Sequence, residues 1–185
     1  MSEPVRLNLP LDKSQLANLK AGQEVPPDRA PATPCAMQAC PCARGARAYR
    51  RAAVRAGGAR RCSTPAPTPA AAGRPLGSVG PTTASRMDFA TPQLMQAGIA
   101  ACIGKGKRNQ AVIDACVENC AVYFAAVGGI AALLAKHVTA SETVAWDDLG
   151  TEALRRIMLD DFPVFVAVDT AGRDLYRAIE NGEDI

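Results

Sequence analysis

Aromatic side chains are scarce, only 4% of 185 residues, and histidine occurs once, at His137. A core must therefore be built from Ala, Val, Leu and Ile. No run of about eighteen apolar residues occurs, which excludes a transmembrane helix. Neither sign of charge dominates. A formal net charge of +3 is too small to argue for nucleic acid or membrane binding. The opening Met1-Ser2-Glu3-Pro4 lacks the basic, apolar and small-residue regions of a secretory signal, so a cytoplasmic location is expected. Without secretion, the seven cysteines do not read as a disulfide framework. Cys35, Cys40 and Cys42 find no partner cluster at zinc-ligand spacing, since Cys62 and His137 each stand alone. Cys116 and Cys120 are expected to share a helix face as small buried hydrophobes.

The length suits one ordinary domain, but composition changes abruptly along it. In residues 1–25, Val5-Arg6-Leu7-Asn8-Leu9 alternates like a short strand. Asp12 is placed to cap a short helix that runs through Leu19 and ends at Gly22. Residues 26–72 then contain no Leu, Ile, Phe, Lys or Glu, but eight arginines and a single acid, Asp28. Such a stretch buries too little apolar surface to offset its ordering entropy and is expected to be disordered.

From Gly73 the pattern is that of alternating strands and helices. Thr91 is placed to cap a helix with Pro92 at its first position and Gly98 past its end. Ile99-Ala100-Ala101-Cys102-Ile103 reads as a buried strand. Asn109 caps a helix with Val112, Ile113, Cys116 and Cys120 at helical spacing. Residues 122–127 form a second buried strand, which Gly128-Gly129 turns into a helix over 130–137. Residues 143–146 and 164–168 read as strands, residues 152–157 as a helix between them, and Thr170-Ala171-Gly172 as a turn. The class is α/β.

Four stretches carry a resemblance. They are Gly77-Ser78-Val79-Gly80-Pro81-Thr82-Thr83-Ala84-Ser85-Arg86-Met87-Asp88, then Ile103-Gly104-Lys105-Gly106-Lys107-Arg108, then residues 122–137, and residues 147–174 with Asp160-Asp161-Phe162-Pro163. In this order they resemble the C-terminal domain of class I fumarases and the β-subunits of two-subunit fumarate and L-tartrate dehydratases. The Gly-Pro-Thr-Thr-x-x-Arg-Met-Asp run is the specific part; Gly-Lys-Gly alone would be weak. Leu7-Asn8-Leu9-Pro10-Leu11 and Leu19-Lys20-Ala21-Gly22 also look like the family's opening. The resemblance implies a swivelling β/β/α-type domain over 73–185, with 1–25 supplying its first strand and helix. It further implies a lyase that reversibly dehydrates a hydroxy-diacid, malate to fumarate or tartrate. It implies a 4Fe-4S cluster held by an iron–sulfur α subunit rather than by this chain.

One departure is abrupt. Where the family continues with Tyr-Thr-x-Arg-Asp-Ala, this chain has Thr33-Pro34-Cys35-Ala36-Met37-Gln38. Joining the last base of each codon to the first two of the next, from Ala32 onward, permits Tyr, Thr, Val, Arg, Asp and Ala in that order. The same phase over residues 61–67 permits Val-Leu-Tyr-Ala-Gly-Pro, which joins Thr68-Pro69-Ala70, where the family has Tyr-x-Gly-Pro-Thr-Pro-Ala. Residues 26–67 thus read as an out-of-frame segment, with compensating shifts near Val25 and Pro67. The chain would then be an inactive remnant unless the frame is restored.

On the resemblance, Thr82 is the catalytic base, and Arg86 and Lys105 bind substrate. Arg86 can grip a carboxylate with two parallel hydrogen bonds. Lys105 lies in a glycine-flanked loop after a buried strand, where α/β sheets commonly bind ligands. Thr82 and Arg86 are expected at a helix start that favours an anion. An isolated hydroxyl is a poor base, so Thr82 would need the local positive field to stabilise its alkoxide.

The bland alternatives are a helix cap for Thr82, a surface or paired arginine for Arg86, and solvated loop charges for Lys105 and Lys107. His137 reads as structural, Trp146 as core or interface packing, and Asp160 and Asp161 as charge balance for Arg155 and Arg156. A competing class is an Arg-rich polyanion-binding module, which would show salt-dependent retention on nucleic acid. The arm's lack of interleaved aromatics apart from Tyr49 argues against it, and neither nucleic acid nor membrane is expected as a partner.

Overall fold

A computed structural model describes residues 13–25, 33–37, 61–63, 65–70 and 72–184. The strand expected over Val5-Arg6-Leu7-Asn8-Leu9 and the cap at Asp12 lie outside them. The chain opens with α1 (Lys13–Ala17) and β1 (Glu24–Val25). β2 (Thr33–Met37), β3 (Arg61–Ser63), β4 (Pro65–Pro67) and β5 (Val79–Pro81) follow. Next come α2 (Thr91–Gln96), β6 (Ala101–Gly104), α3 (Gln110–Asn119), β7 (Val122–Ala125) and α4 (Ala131–Leu134). β8 (Val138–Ala145), β9 (Leu154–Leu159), β10 (Val164–Val168) and α5 (Leu175–Asn181) complete the described elements.

An eight-stranded sheet runs in the order β1-β10-β7-β6-β3-β2-β9-β8, and β4 pairs with β5 apart from it. The central strands β7, β6, β3 and β2 are mutually parallel, with antiparallel pairs on both flanks. Side chains alternate across β6 and β7 as a strand's period of two requires. Cys102 and Tyr123 enter one core with Met95, Ile113 and Cys116 of α2 and α3. Their neighbours Ile103 and Phe124 enter the other, with Leu16, Leu19, Val79 and Leu134. The sheet therefore has a core on each face, and the expected α/β class is the one observed.

Several expectations need correction. Within residues 26–72, expected to be disordered, residues 33–37, 61–63 and 65–67 run as strands, two of them inside the main sheet. The rest of that expectation falls on residues outside the description, apart from 68–70 and Ala72. Composition measures what side chains can bury. It is blind to the backbone N–H and C=O rows that β6 and β9 present for pairing.

Of residues 152–157, expected to be helical, Glu152 ends a 3-10 turn and 154–157 enter strand β9. Leu154 and Ile157 are buried at a spacing that suits a helix turn, but Leu159 is buried too, and Arg155 and Arg156 find partners across the ladder. Arg155 donates to Thr143 Oγ1 at 2.8 Å and Arg156 pairs with Glu142 at 3.1 Å, each with its register partner on β8. The expected balance with Asp160 and Asp161 gives way to these pairs. Asp161 instead takes a left-handed turn conformation, φ 52°.

Thr91 is not the cap of α2: Ala90 holds that position, and the Thr91 hydroxyl donates back to Met87 O at 2.8 Å. Asn109 does cap α3, accepting from Val112 N at 3.0 Å. That helix stops at Asn119, so exposed Cys120 sits in a left-handed cap and does not share the buried face of Cys116. His137 is structural, its Nδ1 lying 3.0 Å from Asp160 O and its ring edge-on to Phe162. Trp146 packs against the first core.

Candidate active site

The parallel strands β7 and β6 end at the same edge, where Gly104 lies in register with Ala125. Lys105 follows β6 directly, and the backbone ties it to the segment after β5. Lys105 N donates to Thr82 O at 3.3 Å, and Ala84 N donates to Lys105 O at 2.9 Å. Thr83 and Lys105 form an isolated parallel bridge. Lys105 is thereby joined to the earlier segment that carries Thr82 and Arg86. The Lys105 side chain runs over Gly128, 3.6 Å from where a Cβ there would sit, so bare backbone after β7 leaves room for the cation.

The helix expected to begin at Thr82 is a single 3-10 turn, Ala84–Met87, with Thr83 at its N-cap and no side-chain capping bond. One turn carries little of a helix dipole. What positive charge these segments carry is that of the Arg86 and Lys105 side chains. Arg86 is half exposed, and its Nη2 lies 3.4 Å from Glu152 Oε1. Glu152 Oε2 is buried without a hydrogen-bond partner among the described residues.

Behind these segments lies a buried polar network. Arg108, 5% exposed, donates through Nε to Asp88 Oδ1 and through Nη2 to Thr91 Oγ1, both at 2.6 Å. Asp88 Oδ2 accepts from Asn109 N at 2.8 Å. The Arg108 guanidinium lies 4.9 Å from the ring centre of Tyr123. The Tyr123 hydroxyl donates to Gly106 O at 2.9 Å, while Gly106 N donates to the Tyr176 hydroxyl at 3.2 Å. Burial, only partly opposed by Arg108, pushes the Tyr123 hydroxyl well above its usual range, which keeps it a donor.

Asp88, Arg108 and Tyr123 escape a sequence reading in this role. Asp88 and Arg108 each end a conspicuous motif, but nothing in their separation says that they pair. Tyr176 and Glu152 carry no local signal at all.

The fit to a metal cluster is poor. Among the described residues no three His, Cys, Asp or Glu side chains gather as a metal site. Thiolate is the form that binds iron, yet burial pushes both Cys102 and Cys116 up, the latter to about 12.

The structure defines a mixed α/β domain in which the segments carrying Thr82, Arg86 and Lys105 meet where parallel strands end. It belongs to the Fumarase C-terminus family, whose sequence model matches residues 64–179. The chain is 44% identical over 119 residues to "Fumarate hydratase class I, anaerobic" of Escherichia coli, covering 63% of this chain and 21% of that protein. It is 43% identical over 115 residues to "Fumarate hydratase 2" of Leishmania major, covering 60% and 20%. "Putative L(+)-tartrate dehydratase subunit beta" of Methanocaldococcus jannaschii is 35% identical over 106 residues, covering 55% of this chain and 54% of that one. The chain thus spans about a fifth of the class I fumarate hydratases it matches.

Proposed function

We propose that this chain is the β-subunit-like part of a hydro-lyase that reversibly dehydrates a hydroxy-diacid, malate to fumarate or tartrate. The observation that supports the reading is the backbone pairing of Lys105 with residues 82–84, which sets the segments that carry Thr82, Arg86 and Lys105 side by side. Arg86 binds one substrate carboxylate through parallel N–H donors and Lys105 binds the other. Their combined field lowers the cost of an alkoxide at Thr82, which takes the proton from substrate carbon as the adjacent C–O bond breaks, the C=C bond forms and the departing hydroxide is protonated to water.

The buried thiols Cys102 and Cys116 do not suit a 4Fe-4S cluster, and this reading assigns that group to an iron–sulfur partner subunit. Co-expression with such a subunit tests it. A complex that binds L-malate or L(+)-tartrate, and loses that binding in Arg86→Ala and Lys105→Ala, is the expected result. Binding unchanged in both variants would refute it.

Residues 26–67 belong to the same proposal as an out-of-frame segment. Ala36 stands where the family carries an arginine, and its Cα lies in one row with those of Cys62, Cys102 and Tyr123. That row crosses the parallel strands just before the edge where Lys105 emerges. Two of the segment's strands, β2 and β3, lie in the interior of the main sheet rather than at its edge, so on this reading the missing arginine is a loss at the centre of that sheet.

A further inference from the structure

We infer that Tyr123 and Tyr176 are positioning residues: their hydroxyls clamp the Gly106 backbone from both sides and so hold Lys105 against the Thr82–Arg86 turn. The inference rests on the functional reading above for what Lys105 does, but its mechanical half stands by itself. Gly106 has φ +81°, a conformation that few side chains adopt, and an added Cβ there would meet nothing within 4 Å. Glycine is therefore present for its backbone, which leaves the loop intrinsically free to rotate. External bonds have to supply the stiffness the residue lacks.

The Gly106 N–H is held by Tyr176 from α5, and its C=O by Tyr123 from β7. Both bonds come from well-anchored elements. Tyr123 is fully buried with Arg108 over its ring, and α5 is capped by Asp174, which accepts from Tyr176 N at 2.9 Å. On the far side of Gly106, Lys107 pairs with Glu180 of the same helix. The buried Arg108–Asp88 pair then links the loop to the residue that ends the Arg86 turn. Lys105 is the one residue between this clamp and the strand. Its own N–H and C=O reach Thr82 and Ala84, so freeing Gly106 would loosen the contact between the two halves of the site.

The test is the Tyr123→Phe/Tyr176→Phe double variant of the full chain, which removes two hydroxyls and leaves both rings in place. Amide hydrogen exchange at Lys105 and Gly106 should accelerate about tenfold, the loss of roughly one net hydrogen bond. Amides in the middle of α3 should be unchanged. L-malate affinity of the complex with the iron–sulfur partner subunit, read by calorimetry, should fall by a similar factor, and restoring Tyr176 alone should recover part of both effects.

Unchanged exchange at Lys105 and Gly106 would overturn the clamp. Faster exchange with unchanged L-malate affinity, while Lys105→Ala still weakens binding, would overturn the positioning role and leave the functional reading standing. If L-malate binding is also indifferent to Lys105→Ala, the functional reading falls, whereas the exchange rates still decide the clamp.

Discussion

Arg86 already has a carboxylate beside it. The Glu152 pair is long, joins one nitrogen to one oxygen, and is partly exposed on both sides, so screening leaves it little net worth. A substrate carboxylate meeting the guanidinium squarely makes two charge-assisted bonds instead. Arg86→Ala is therefore expected to weaken L-malate binding tenfold to a hundredfold, a loss of roughly 1.5–3 kcal/mol. Glu152→Gln should leave thermal stability nearly unchanged. Calorimetric titration beside a melting curve separates the two.

Cys116 makes a second prediction at this scale. Its folded pKa is raised from 9.0 to about 12 by burial, so the neutral thiol's contribution is complete below pH 9. Stability should then decline as pH rises from 9 through about 12, because the unfolded thiol loses its proton first. Cys116→Ala should flatten that alkaline decline in a pH series of denaturant midpoints. An alkaline limb unchanged by the substitution would contradict it.

Among the elements, those with strong local chemistry were legible and those set by partners were not. Asn109 declared the start of α3 because its side chain satisfies an orphan N–H three residues on. Asn109→Ala should cost about 1 kcal/mol, read as a lowered melting midpoint. Gly77 marks a tight approach of another kind. A Cβ there would collide with Thr68 Oγ1 and the carbonyl of Pro69, across the bonds that join residues 68 and 77–78. Gly77→Ala is expected to destabilise by roughly 1–3 kcal/mol.

β9 was illegible for the opposite reason. Leu154 and Ile157 fit a helical period, and only pairing with β8 and with β2, the latter far away in sequence, makes the segment a strand. Thr82, Arg86 and Lys105 could be named from their motifs. That a peptide-bond ladder joins 82–84 to Lys105 could not, because no spacing encodes a contact between two separate turns. The same holds for the Asp88–Arg108 pair and for Tyr176, whose role depends on where α5 lands.

For the whole molecule, the composition break at residue 26 was plain in the sequence, and the family match begins only at residue 64. Thr33–Met37 nevertheless occupies the slot between β3 and β9. A strand is wanted there, whichever residues fill it. Pro34 can donate no backbone bond in that interior position, which is what a stretch translated in the wrong phase would bring to an otherwise ordinary sheet.

With Cys102 and Cys116 buried and their thiols pushed up by that burial, the isolated chain should take up no stoichiometric iron on anaerobic reconstitution. An absorption band from thiolate to iron would contradict the assignment of the cluster to a partner. The most direct measurement is malate dehydration by an iron–sulfur partner subunit mixed with this chain, with the chain restored to the alternative frame over 26–67, and with the restored chain carrying Arg86→Ala. Near-zero turnover as the chain stands, recovery on restoration and renewed loss in Arg86→Ala are expected. Full turnover from the chain as it stands, or turnover indifferent to Arg86, would contradict both the frame reading and the site.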